Sequence, residues 1–235
     1  MLVADSISKN FGGHRVLSSA RLTASRGEVV GLLGRMGSGK STLLQIGAGS
    51  MRADSGWVEL DGVRYVSPRR SRLASRGLFF LSETDNLAWT LSVGEHFDEL
   101  ERRFRVKLSD ETVELAGIDS LLDRRVQTLS GGEVKRVEIA PALSRRPSCL
   151  LADEPFRSVD PILCELLGKC LRLLAKQGCA VVVTGHEVNQ LMPFLDSITW
   201  VTSGTTHSLG SVQSALRDER FRREYLGPSS EMLRA

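Results

Sequence analysis

Gly34-Arg35-Met36-Gly37-Ser38-Gly39-Lys40-Ser41, followed by Thr42, has the spacing G-x-x-x-x-G-K-[ST], the pattern of a loop that wraps the phosphates of a nucleotide. Glycines at 34, 37 and 39 let the backbone approach a phosphate closely and adopt positive φ without a Cβ clash. Lys40 supplies a point charge for the β- and γ-phosphates, and the Ser41 hydroxyl suits Mg²⁺. The run Glu28-Val29-Val30-Gly31-Leu32-Leu33 ahead of the loop reads as a buried strand. Thr42-Leu43-Leu44-Gln45-Ile46 behind it starts a helix. That setting places backbone N–H groups at a helix N-terminus, where anions bind. The stretch implies a nucleoside triphosphate site.

Hydrolysis needs further groups: a second Mg²⁺ contact, a means of orienting water and charge stabilisation at the γ-phosphate. Asp153 and Glu154 follow the apolar run Cys149-Leu150-Leu151-Ala152, at the strand end where ligands collect in open α/β sheets. Asp153 fits a Mg²⁺ contact and Glu154 a residue that polarises water. His186 follows another apolar strand, Ala180-Val181-Val182-Val183-Thr184, and is placed to hydrogen-bond the γ-phosphate. Leu129-Ser130-Gly131-Gly132-Glu133 opens a helix with a serine and two glycines, the makings of a second phosphate site. One chain already supplies the first site, so the second makes sense as the completion of another subunit's. Phe11, beside the turn at Gly12-Gly13, fits either a purine-stacking ring or a core side chain.

These residues need an α/β framework, and the chain has room for one. Its 235 residues are 41% hydrophobic and 25% charged, ordinary for a globular protein of one core plus a small subdomain. A net charge of +3 gives no argument for nucleic acid. No apolar run approaches the ~20 residues that cross a bilayer, and the N-terminus lacks a signal-peptide pattern. The expected location is cytosolic, unless a partner holds the chain at a membrane. The four cysteines sit in apolar runs without C-x-x-C spacing and read as buried side chains. Residues 2–8 and 16–23 read as paired strands, and 57–66 as a hairpin turning at Asp61-Gly62. Pro68-Arg69-Arg70-Ser71-Arg72 reads as a solvated helix face, with an anionic-lipid or partner contact as the alternative. From about 84 to 146 the pattern is helical, with caps at Ser92 and Ser109. Asp160 and Pro161 open an amphipathic helix whose positions 162, 163, 166, 167, 170, 171 and 174 trace one face. A charged amphipathic tail occupies roughly 211–226.

Taken together, these motifs resemble the nucleotide-binding subunits of ABC transporters, from about residue 2 to 227. Phe11 corresponds to the adenine-stacking A-loop aromatic, residues 34–41 to Walker A and 129–133 to the LSGGQ signature, here ending in Glu133. Leu150 to Glu154 correspond to Walker B, Ser158-Val159-Asp160 to the D-loop and His186 to the switch histidine. The resemblance implies a P-loop NTPase core of α/β class, with an antiparallel β subdomain and an inserted helical subdomain at about 84–146. Residues 1–227 would form one nucleotide-binding domain and 228–235 a short tail. It implies ATP and Mg²⁺ as ligands, with Ser41, Asp153 and Glu83 toward the metal and Glu154, His186 and Lys40 as catalytic groups. It also implies head-to-tail pairing, as a homodimer or with another cassette, in which Ser130, Gly131, Gly132, Glu133 and Asp160 face the opposite ATP. Separate transmembrane permease subunits would hold the chain at the inner face of the cell membrane. Arg136-Val137-Glu138-Ile139-Ala140 and the tail Arg223-Glu224-Tyr225-Leu226-Gly227 are similar to the lipopolysaccharide-export ATPases, with the branched-chain amino-acid importers as near neighbours.

Four further positions depart from the family pattern. Glu83 stands where the Q-loop glutamine is usual, and Arg35 and Met36 replace a common Pro-Asn. Pro141 replaces an arginine and is expected to kink or end its helix, at about 3 kcal/mol if unrelieved. Glu83 and Pro141 are the support for an alternative, a module that closes on ATP with little turnover. A soluble, non-transport ABC ATPase is the other alternative, and this chain lacks its tandem cassettes, coiled coil or zinc modules.

Overall fold

The computed structural model describes residues 1–84, 86–186 and 188–227. The tail at 228–235 lies outside the described residues. Ten strands and nine α-helical segments are described in the order β1 (Leu2–Phe11), β2 (His14–Ala24), β3 (Val29–Leu33), α1 (Lys40–Gly47), β4 (Ser55–Leu60), β5 (Val63–Tyr65), α2 (Arg70–Ser75), β6 (Leu78–Leu81), α3 (Val93–Phe104), α4 (Asp110–Ala116), α5 (Gly131–Arg145), β7 (Cys149–Ala152), α6 (Pro161–Lys176), β8 (Ala180–Thr184), α7 (Val188–Leu191), β9 (Ser197–Thr202), β10 (Thr205–Ser211), α8 (Val212–Arg217) and α9 (Glu219–Phe221).

The strands form an antiparallel sheet of order β2-β1-β4-β5 and a six-stranded sheet of order β10-β9-β3-β8-β7-β6. In the second sheet β9, β3, β8, β7 and β6 run parallel, and only the edge strand β10 is antiparallel. Parallel strands are covered on both faces, which is why β3, β7 and β8 are continuous apolar runs. Alternate residues divide between two cores. Val29, Leu33, Leu150, Ala152, Val181 and Val183 pack on the side of α5 and α6. Val30, Leu32, Cys149, Leu151, Ala180 and Val182 pack on the other side, with Leu43, Leu44 and Ile46 of α1 and the inner face of the antiparallel sheet. The phosphate-loop helix is thus held between the two sheets.

Helix starts follow local chemistry. Ser92 Oγ accepts from Glu95 N–H at 3.2 Å while the Glu95 carboxylate accepts from Ser92 N–H at 2.6 Å, a complete capping box. Ser109 caps α4 through Thr112 N–H at 3.2 Å, and Gly117 ends it in the left-handed region at φ 62°. Gly12 and Gly13 turn β1 into β2 with φ of 53° and 84°, the geometry of a tight hairpin.

Two expectations are corrected. Pro141 does not end its helix, since α5 runs from Gly131 to Arg145 through it. Val137, Ile139, Ala140, Ala142 and Leu143 around it are all buried, and that packing outweighs one lost backbone hydrogen bond. Ile162 does not share the buried face of α6: it is 78% exposed, whereas Leu163, Leu167, Leu171 and Leu174 are buried. In the first turn the periodic stripe has no neighbouring element to cover position 162. All four cysteines are buried, as expected. No helix among the described residues is long and apolar enough to cross a membrane.

Candidate functional site: a phosphate loop at the ends of four parallel strands

β3, β8, β7 and β6 lie side by side and point the same way, so the residues that follow them share one edge of the sheet. After β3 comes the phosphate loop, after β7 Asp153 and Glu154, after β8 His186, and after β6 Glu83. Cross-strand pairs Leu32↔Thr184, Ala152↔Val183 and Leu81↔Ala152 fix that alignment. Here is the crevice at strand C-termini where α/β sheets take their ligands.

A cleft of about 630 Å³ opens there, lined in part by Gly39, Lys40, Ser41, Glu83, Glu154 and His186. Gly39 precedes α1 with φ 102°, and a Cβ on it would meet Leu17 Cδ2 at 2.7 Å. Both the backbone region and the space therefore require glycine. Lys40 is buried and donates to the carbonyls of Gly34 at 2.8 Å and Arg35 at 3.1 Å. Burial lowers its pKa, opposed by Glu154 and Asp153. Ser38 Oγ is buried without a hydrogen-bond partner, an open donor facing the loop that a phosphate oxygen would satisfy.

Ser41 Oγ donates to Asp153 Oδ1 at 3.1 Å, and Thr184 Oγ1 donates to the same oxygen at 2.7 Å. Thr184 Oγ1 also accepts from Glu154 N–H at 2.8 Å. One fully buried hydroxyl thus ties Asp153 and Glu154 to β8. It holds Glu154 in the left-handed region at φ 51°, a conformation a non-glycine residue keeps only under local constraint. Glu154 Oε1 meets His186 Nε2 at 3.0 Å. Burial pushes the Glu154 carboxyl up, with Lys40 opposing and Asp153 adding to the rise. Burial first, then Lys40 and Arg157, lower the His186 pKa. A neutral imidazole donating from Nε2 to the carboxylate satisfies both groups.

Ser41 and Asp153 offer adjacent hard oxygens, the donor chemistry of Mg²⁺. No cluster of three or more His, Cys, Asp or Glu able to hold a metal is found among the described residues. The Ser41–Asp153 pair fits an ion held by one or two side chains together with substrate phosphates.

Other residues singled out from sequence stand apart from this cleft. Ser130 caps α5, accepting from Glu133 N–H at 3.3 Å while the Glu133 carboxylate accepts from Ser130 N–H and from Arg124 Nη1, each at 2.7 Å. With Gly131 and Gly132 they form a free helix start that does not line the cleft. Asp160 caps α6 through Leu163 N–H at 2.9 Å. Phe11 is 45% exposed with Lys9 Nζ 5.3 Å from its ring centroid, so it is not core. Gly34 and Arg35 contribute carbonyls to Lys40, whereas Gly37, Met36 and Thr42 line the cleft. Two residues escaped the sequence reading: Thr184, taken only as the end of a strand, and Arg157, which lines the cleft and pairs with Glu83.

The ABC transporter family model matches residues 17–157, the segment that carries the phosphate loop, Glu83, the Ser130–Glu133 helix start, Asp153, Glu154 and Arg157. This chain belongs to the ABC transporter family. It is an ATP-binding, ATP-hydrolysing cassette of that family. The lipopolysaccharide export system ATP-binding protein LptB of Haemophilus influenzae is 33% identical over 235 residues, covering 97% of each chain. The protein of the same name from Escherichia coli K12 is 34% identical, covering 96% of this chain and 97% of its own. Among solved structures, a dimeric ATP-binding cassette in a post-hydrolysis state with ADP and Pi superposes with a TM-score of 0.78 at 26% identity, covering 89% of this chain and 99% of its own. The expected α/β cassette architecture is the one observed.

Proposed function

We propose that this chain powers transport through separate membrane subunits by hydrolysing Mg²⁺-bound ATP at the phosphate loop, in a site completed by a second copy. The observation that carries the assignment is the convergence of Lys40, the Ser41–Asp153 pair and the Glu154–His186 pair at one sheet edge. In this reading residues 1–227 form one nucleotide-binding domain, with the helices between 84 and 146 as a subdomain.

Residues 34–42 cradle the triphosphate, and Lys40 exchanges its carbonyl partners for phosphate oxygens. Ser41 and Asp153, with Glu83 nearby, would hold Mg²⁺, which would supply charge neutralisation to the triphosphate. Glu154 orients and deprotonates the attacking water. His186 donates its one N–H to the Glu154 carboxylate and holds it in place, and with ATP bound the same N–H would turn to the γ-phosphate. Phe11 stacks on the base. Ser130, Gly131, Gly132 and Glu133 of the second copy offer the start of its α5 to the γ-phosphate, as helix N-termini do for anions, and Asp160 lies at the seam. Dimeric cassettes among the similar structures support this pairing. The curated relatives are named as ATP-binding proteins of an export system, which supports separate membrane subunits as partners; a peripheral place on the cytoplasmic face would follow from that partnership. Cargo selection then belongs to those subunits.

The test is phosphate release from ATP by the purified chain with Mg²⁺ and with EDTA. Turnover that needs Mg²⁺ is expected; ATP that neither binds nor turns over overturns the reading.

A further inference from the structure

The Glu83–Arg157 ion pair lies in the wall of the cleft. Glu83 follows β6 and Arg157 follows Glu154 beyond β7, so the pair joins the ends of these two neighbouring strands. Arg157 Nη1 donates to Glu83 Oε1, and both residues line the same cleft as Lys40, Glu154 and His186. Arg157 is further anchored through its own N–H to the Glu154 carbonyl at 3.1 Å. The side chains are 62% and 34% exposed. An ion pair that wet contributes little to folding, which leaves the charge of the cleft as its consequence.

That charge is finely set. Three carboxylates, Asp153, Glu154 and Glu83, gather at this edge against Lys40 and Arg157. Mg²⁺-bound ATP is itself a net anion. A third carboxylate facing it with no cation beside it repels the ligand over distances shorter than the screening length. A glutamine at position 83 would offer an oxygen with no such penalty; a glutamate requires a counter-charge.

We propose that Arg157 is a positioning residue that completes Glu83: its guanidinium cancels the carboxylate's charge and fixes it at the cleft wall, and the two together stand in for one neutral amide. This rests on the phosphate-loop reading of the site. Arg157 acts through Glu83, so its importance disappears once Glu83 is neutral.

A double-mutant cycle on nucleotide binding tests this. Parent protein, Glu83→Gln, Arg157→Ala and the double variant are titrated with a fluorescent non-hydrolysable ATP analogue and Mg²⁺, after circular dichroism has established folding. Arg157→Ala is expected to weaken binding about tenfold, and the double variant to return to within about threefold of the parent. A double variant as weak as Arg157→Ala, or an Arg157→Ala variant that binds like the parent, overturns the proposal. Lys40→Ala run alongside separates the two readings. Retained binding there overturns the phosphate-loop assignment and the pair's role with it; lost binding there with an additive cycle overturns the pair alone.

Discussion

Replacing Glu154 with Gln is expected to lower ATP turnover by about 10²–10⁴-fold, the range for removal of a positioned general base, while ATP still binds. The amide keeps the size of the side chain and accepts the His186 hydrogen bond, so the cleft retains its shape. What it loses is the ability to take a proton from water. Because the Glu154 N–H is held by Thr184 Oγ1 and not by its own side chain, the backbone at φ 51° has no reason to relax. ATP-bound pairs should therefore accumulate, visible as an earlier peak in size-exclusion chromatography. The pH profile adds a signature. Burial raises the Glu154 carboxyl above its ordinary 4.5, so the acid limb of the parent's turnover lies above that value and is absent in the variant. The stability sign is opposite to that of an ordinary paired carboxylate. The folded state binds this proton more tightly than the unfolded one, so Glu154's contribution to stability is largest in acid and falls as pH rises from 4.5 through the folded pKa. His186, with its pKa lowered from 6.5, contributes stability that is present above 6.5 and is lost as pH falls toward its folded pKa.

Lys40→Ala is expected to weaken ATP binding by about a thousandfold, the equivalent of about 4 kcal/mol for a point charge some 4 Å from phosphate at an effective dielectric of about 20. Its ammonium already sits in a buried niche between two loop carbonyls, so little side-chain entropy is lost when a phosphate replaces them. Removing it also withdraws the charge that opposes the rise of the Glu154 carboxyl. Isothermal titration with ATP reads the affinity directly, and urea unfolding checks that the fold survives. Binding at parental affinity would overturn the role given to Lys40.

Much of this was legible because it is local chemistry. Strand, glycine-rich loop and helix follow one another within the phosphate-loop stretch, and Ser92, Ser109, Ser130 and Asp160 cap the helices their side chains announce. Asp153, Glu154 and His186 were found by their place after apolar strands, and parallel pairing brings those strand ends together. Thr184 was not found, because nothing in its own strand says that a neighbour's carboxylate lies beside its hydroxyl. Arg157 escaped for the same reason: its partner is 74 residues away in sequence. Pro141 misled because helix propensity weighs a lost hydrogen bond but not the buried faces of five neighbouring residues. Ile162 misled because periodicity assigns a face without saying where the covering element stops.

The most direct test of a site shared between two copies is complementation between Lys40→Ala and Gly132→Asp. Each variant alone breaks both sites of its own dimer. A mixed dimer retains one intact site, joining the phosphate loop of one chain to the α5 start of the other. With random pairing, about a quarter of the sites are restored. Measured phosphate release from an equimolar mixture should therefore rise to about a quarter of the parent's rate, while the separate variants remain near background. A mixture no more active than its components would contradict a composite site between two copies of this chain.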